Sequence, residues 1–317
     1  MTVREVAVPT EADREAAWEV VSARLAPTPI VPAPGLGDDV YLKLETLQPT
    51  GSFKVRGALA ALSRAERGPV VTASAGNAGL GVAWAAAALG VPATVVVAQT
   101  ASPAKVAALQ ALPVTLVQHG ADYDEAEAHA LAIAAQGAEY VSSYNDTGMI
   151  AGQSTVGREL ESQLPGPVCV ASPLGGGSLA SALGLWASGR DGAARVVGVE
   201  AERSPAISTA LAAGKITPIE VGDTLADGLA GNLEPGAVTF GLVRDHVDSV
   251  VAVSEAEIAE GMRFLARAHG IVAEGAGAAA VAGVLAGRVD AGSGPLVAVV
   301  TGRNITLPRL AAVLAGA

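Results

Sequence analysis

Val168-Cys169-Val170-Ala171-Ser172-Pro173-Leu174-Gly175-Gly176-Gly177-Ser178-Leu179 runs from an apolar segment through a glycine triplet into a helical stretch. An uncharged, β-branched run bounded by such a turn reads as a strand buried on both faces. Parallel sheets use strands of this kind, each handing the chain to a covering helix. The pattern recurs outward in both directions. Val70–Ala73, Ala93–Ala98, Val114–Gln118, Val196–Glu200, Ser249–Val253 and Leu296–Thr301 are further strand candidates, and Val40 to Glu45 alternates at strand period. Helical stretches stand among them at Thr10–Arg24, Pro103–Leu109, Tyr123–Ala135 and Glu255–Ala268. Ser102 as cap and Pro103 in the first turn mark one helix start. The alternation predicts an α/β chain with parallel sheets covered on both faces. With no internal repeat and no long linker, two sheets sharing one chain are expected.

Composition narrows the function. The 317 residues are 50% hydrophobic but only 3% aromatic, and the net charge is −11. A nucleic-acid groove needs a basic stripe with interleaved aromatics, so neither nucleic acid nor an anionic membrane surface is an expected partner. Ala78 to Ala98 carries no charge and could span a bilayer, but Gly79, Gly81, Gly90 and Pro92 divide it. A buried helix followed by a buried strand is the expectation. Cys169 is the single cysteine, which excludes an internal disulfide and a cysteine-built metal cluster. Its place in an apolar run reads as core. Met1-Thr2-Val3-Arg4-Glu5 has no apolar signal core, so a cytoplasmic location is expected.

Lysine is scarce: Lys43, Lys54, Lys105 and Lys215 complete the count. Lys54 follows the turn Gly51-Ser52 and stands beside Phe53, one of three phenylalanines. A lysine that acts as nucleophile or base must lose its proton, which apolar surroundings promote. Ser74-Ala75-Gly76-Asn77-Ala78-Gly79 and Gly175-Gly176-Gly177-Ser178 each follow a strand and open a helix. Glycines let backbone N–H groups face an anion at a helix start. The second turn lacks the lysine of a nucleotide-phosphate loop, and Leu179 and Ala180 break the dinucleotide spacing. From the triplet alone, a phosphate cradle and a tight structural turn remain equal readings. Thr301 ends the last strand, where ligands gather in open α/β sheets.

In order, these segments resemble the fold-type II pyridoxal-phosphate (PLP) enzymes, in the threonine/serine dehydratase and serine racemase branch, from about Ile30 to Leu310. Glu45-Thr46-Leu47-Gln48-Pro49-Thr50-Gly51-Ser52-Phe53-Lys54-Val55-Arg56-Gly57-Ala58 is similar to the family's Schiff-base segment. The resemblance implies that Lys54 binds the cofactor covalently, with Phe53 beside it. It implies that Ser74, Ala75, Gly76, Asn77 and Ala78 bind the substrate carboxylate, Asn77 also meeting the cofactor's ring hydroxyl. It further implies that Gly175, Gly176, Gly177, Ser178 and Leu179 hold the phosphate, with Ser178 replacing a fourth glycine. Thr301 is implied at the pyridine nitrogen, and Glu274 of Glu274-Gly275-Ala276-Gly277-Ala278 at another cofactor landmark. Ile150-Ala151-Gly152-Gln153 and Ala226-Asp227-Gly228 match further landmarks.

The fold so implied is tryptophan-synthase-β-like: two interleaved parallel-sheet domains, residues 1–66 plus 146–317 forming a large PLP-binding domain and 67–145 a small mobile one. The activity implied is β-elimination from threonine, serine or an analogue, giving a 2-oxo acid and ammonia. Freed Lys54 would take the Cα proton while the cofactor ring draws off the electron pair. A neutral Thr301 hydroxyl cannot keep the ring nitrogen protonated as a carboxylate would, which favours rapid loss of the β-substituent. Ala78 stands where the family often has histidine, and Ser142-Ser143-Tyr144-Asn145-Asp146 replaces a His-Pro start. Glu200 is present at a racemase-type metal site, but Ala206 occupies a carboxylate position, so no metal is expected. His119, His129, His246 and His269 show no metal-ligand spacing. Rival readings are an amino-acid racemase, a β-replacement synthase, and a non-catalytic sensor, the last opposed by Lys54. A homodimer is expected from the family. The chain's end soon after Asn304 leads to the expectation that no C-terminal regulatory domain responds to a branched-chain product.

Overall fold

The computed structural model describes residues 4–64, 68–292 and 294–316. Residues 1–3 of the N-terminal segment and the expected 66/67 boundary fall outside them. In chain order the strands are β1 (Ile30–Pro32), β2 (Val40–Leu44), β3 (Val70–Ala73), β4 (Ala93–Val97), β5 (Thr115–Gln118), β6 (Glu139–Tyr140), β7 (Val168–Pro173), β8 (Ala194–Ala201), β9 (Ser249–Val253) and β10 (Leu296–Val300). They form a six-stranded sheet of order β1-β2-β10-β7-β8-β9 and a four-stranded sheet of order β5-β4-β3-β6. Every pairing is parallel except that of β1 with β2.

Two compact units follow the two sheets and interleave along the sequence. The larger comprises the described residues of Met1–Val6, Pro27–Leu47 and Val156–Ala317; the smaller comprises Ala7–Ala26 and Gln48–Thr155. This membership differs from the division at 66/67 and 145/146. The helix Lys54–Arg64 packs on the helices Asn77–Leu89 and Thr147–Gln153, so all three lie in the smaller unit. Its apolar side, with Val55, Ala58, Leu59 and Leu62, fills one core with Val82 and Ala85.

In the larger unit, β7 and β10 are buried along their whole length, and small residues of the helix Gly275–Leu285 pack over them. Alanine and glycine let this helix lie close to the sheet, which is how a chain with few aromatics fills its core. Lys43, fully buried on β2, is neutralised by Glu159 at 2.5 Å and donates to the Thr28 carbonyl at 2.8 Å. A buried charge held this way satisfies its donors within the fold.

The uncharged stretch after Ala78 lies within the helix Asn77–Leu89, stopped by Gly90 at φ +69°, and the buried strand β4. No helix among the described residues is long and apolar enough to cross a membrane.

Candidate active site

The residues singled out by sequence fall into two sets, one in each unit. In the smaller unit, Lys54 is the first residue of its helix, after the buried turn residues Gly51 and Ser52. Its Nζ donates to the Ser143 carbonyl at 2.6 Å and lies 4.9 Å from the Phe53 ring centroid. Burial holds the amine well below the usual lysine range, at about 8. The Ser52 hydroxyl and both amide atoms of Gln153 are buried without a hydrogen-bond partner among the described residues.

The strand β3 runs into Ser74-Ala75-Gly76, and the helix begins at Asn77 with no side-chain cap. Ser74 Oγ accepts from the Gly76 N–H at 3.2 Å, which tightens the turn. Asn77 is half-buried, whereas the Ala78 methyl is buried in the apolar core with Val55 and Ala58. The structure therefore does not bring the Ala78 side chain to a ligand; its backbone N–H is the polar group it can offer. A cavity of about 250 Å³ lies against this turn, lined by Ser74 and Ala75 together with Lys105 and Tyr123.

In the larger unit, β7 feeds Leu174-Gly175-Gly176-Gly177, and the helix Ser178–Ser188 starts at Ser178 with no side-chain cap. Uncapped first-turn N–H groups and the helix dipole make such an end a site for an anion. A side chain at Gly175 would bring its Cβ to 2.7 Å from Leu229 Cα, and Gly177 sits at φ +88°. Leu179, 3% exposed, packs into the interior, so it supports this turn from within. Thr239, unremarked in the sequence, is fully buried beside Gly177, and its hydroxyl has no hydrogen-bond partner among the described residues. No motif marks it, because it comes from a separate helix, Val238–His246.

Thr301 follows β10, the parallel neighbour of β7, so it stands at the same carboxyl edge as the glycine turn. It is 4% exposed, and its hydroxyl faces the Ala276 carbonyl at 3.5 Å. Glu274, also buried, precedes the helix Gly275–Leu285 and donates its backbone N–H to the Gly302 carbonyl at 3.1 Å. Three of the larger unit's landmarks (the glycine turn, the segment from Glu274 and Thr301) thus gather around two strand ends.

Glu200 accepts from the Ile207 and Ser208 N–H groups at 2.7 and 3.1 Å, holding a helix start; burial raises its carboxyl. Among the described residues, no group of three or more His, Cys, Asp and Glu is placed to hold a metal ion. His119 stacks on His129 with ring centroids 4.0 Å apart. Cys169 is buried in β7, and burial pushes its thiol up to about 11.

Comparison with known proteins gives this arrangement a family. The family described as "Pyridoxal-phosphate dependent enzyme" matches residues 21–302. The chain is 42% identical over 274 residues to an L-threonine ammonia-lyase of Thermotoga maritima, covering 85% of this chain and 68% of that one. Its fold is similar to a processed threonine deaminase of Solanum lycopersicum, with TM-score 0.87 and 29% identity over 100% of this chain and 97% of that one. It is also similar to maize serine racemase, with TM-score 0.89 and 27% identity over 98% of each chain. By the extent of these matches, the chain belongs to the pyridoxal-phosphate dependent enzyme family.

Proposed function

We propose that Lys54 is the residue joined to PLP, that Gly175 to Leu179 receive its phosphate, and that Ser74 to Ala78 receive the substrate carboxylate. The chain is a PLP-dependent ammonia-lyase that deaminates a small β-hydroxy amino acid, threonine or serine, to a 2-oxo acid and ammonia. The observation that carries the assignment of Lys54 is its amine, buried, held by a carbonyl and lowered to about 8. Near neutral pH such a lysine supplies a useful fraction of free amine, needed to attack an aldehyde and to take the Cα proton.

The residues fit the cofactor. The glycine turn offers uncapped N–H groups where any side chain at Gly175 would strike backbone, and the unpaired Thr239 hydroxyl stands beside it. When bound, PLP supplies an electron sink for the pair left at Cα. Phe53 and Glu274 would adjoin the cofactor, and the Asn77 amide would meet its ring hydroxyl. Thr301 would hold the ring nitrogen through a neutral hydroxyl, which fixes no proton there. With so weak a partner at that nitrogen, the bound group would supply chemistry suited to elimination. Racemisation needs a proton donor on the face opposite Lys54; Ala75 has none, and Ser74 Oγ is turned back onto Gly76.

A cytoplasmic homodimer completes this proposal. The test is a screen of L-threonine, L-serine and other β-hydroxy amino acids with the purified holoenzyme. Equimolar 2-oxo acid and ammonia are expected from at least one. Release from none of them would overturn the proposal.

A further inference from the structure

The segment Ser142-Ser143-Tyr144-Asn145-Asp146 is folded as a turn closed by a side chain. Ser142 is 1% exposed, and its Oγ accepts from the Asn145 N–H at 3.2 Å and the Tyr144 N–H at 3.5 Å. Asp146 pins the far end by accepting from the Met149 N–H at 2.8 Å, as cap of the helix Thr147–Gln153. Held between these two anchors, the Ser143 carbonyl receives the Lys54 amine at 2.6 Å.

We infer that Ser142 is a positioning residue for Lys54: by closing this turn it fixes the Ser143 carbonyl as the resting place of the amine whenever Lys54 is not joined to the cofactor. The inference rests on the assignment of Lys54 above. A lysine side chain has about 2 kcal/mol of rotamer entropy, so an unanchored amine would spend most of its time away from the reacting position. A carbonyl suits this anchor because it accepts an N–H from either the ammonium or the free amine. A carboxylate in its place would favour the charged form and undo the effect of burial. Lys43, paired with Glu159, shows that alternative.

The test follows the rate at which the full chain, stripped of PLP, regains the visible absorbance of lysine-bound cofactor when PLP is added. Ser142→Ala should slow joining about five- to tenfold, the order expected for loss of one anchoring hydrogen bond, and Ser142→Thr should restore it. In a Lys54→Ala background, Ser142→Ala should leave noncovalent PLP affinity unchanged. Joining at the wild-type rate in Ser142→Ala would overturn the inference. So would an equal loss of PLP affinity with and without Lys54, since that marks a merely structural role. Covalent joining that persists in Lys54→Ala would instead overturn the assignment of Lys54, and this inference with it.

Discussion

The turn Ser74–Gly76 in the smaller unit and the turn Leu174–Gly177 in the larger one both leave a buried parallel strand, and both open a helix without a side-chain cap. Their linings differ. The first carries a serine hydroxyl and leads into an asparagine amide, and a Cβ on Gly76 would meet only Ser74 Oγ, at 3.9 Å. The second is glycine throughout its last three positions, with Gly177 at φ +88° and a Cβ there 3.1 Å from Thr239 Cβ. A turn with room for side chains can grade a small substrate by its functional groups. A turn of bare backbone offers its N–H groups to an anion.

The largest effect that sharpens this contrast belongs to the lysine of the smaller unit. Its amine is lowered from 10.5 to about 8, so the unfolded chain holds that proton in a range where the folded chain has released it. Stability of the cofactor-free chain should therefore rise with pH between about 8 and 10, by about 2–3 kcal/mol relative to Lys54→Met. Urea midpoints at successive pH values check this, and a flat difference between the two chains would remove the depressed amine from the account. Next in size is the glycine pair. Gly177→Ala forces an alanine into the left-handed region and should destabilise by about 1 kcal/mol or more. Gly76→Ala, at φ −107°, should change stability by less than about 0.5 kcal/mol. Equal losses from both would break the comparison. The smallest effect is on products: Ala75→Ser introduces a hydroxyl into the turn Ser74–Gly76 and should raise racemisation of residual substrate to a detectable minor fraction. Chiral chromatography measures it, and rapid racemisation by the wild type would favour the racemase reading.

Most of the sheet was legible because its strands are continuous apolar runs closed by turns. Val70–Ala73 and Ser249–Val253 end where the sequence pattern ends, and β8 extends its expected range at both ends. The edge strands β1 and β6 were not legible, having three and two residues, too few for any periodicity to show. Unit membership was also hidden. The helix Lys54–Arg64 joins the smaller unit through packing on helices distant in sequence, which no local signal records. At the site, Lys54 and the glycine triplet stood out by rarity and by spacing. Their supports did not: Thr239 carries no motif, and the Ser143 anchor is a backbone carbonyl. Lys43 shows the limit of rarity as a guide. It is as scarce a residue as Lys54 and more deeply buried, yet an ion pair with Glu159 commits it to the fold.

The central claim is that Lys54 carries the cofactor, and borohydride reduction of the holoenzyme followed by peptide mapping tests it most directly. The reduced pyridoxyl label should appear on the peptide containing Lys54, and Lys54→Ala should fold but give neither the label nor the visible absorbance of the lysine-bound cofactor. A label on Lys43, Lys105 or Lys215, or colour that survives in Lys54→Ala together with a borohydride-fixed label, would contradict it.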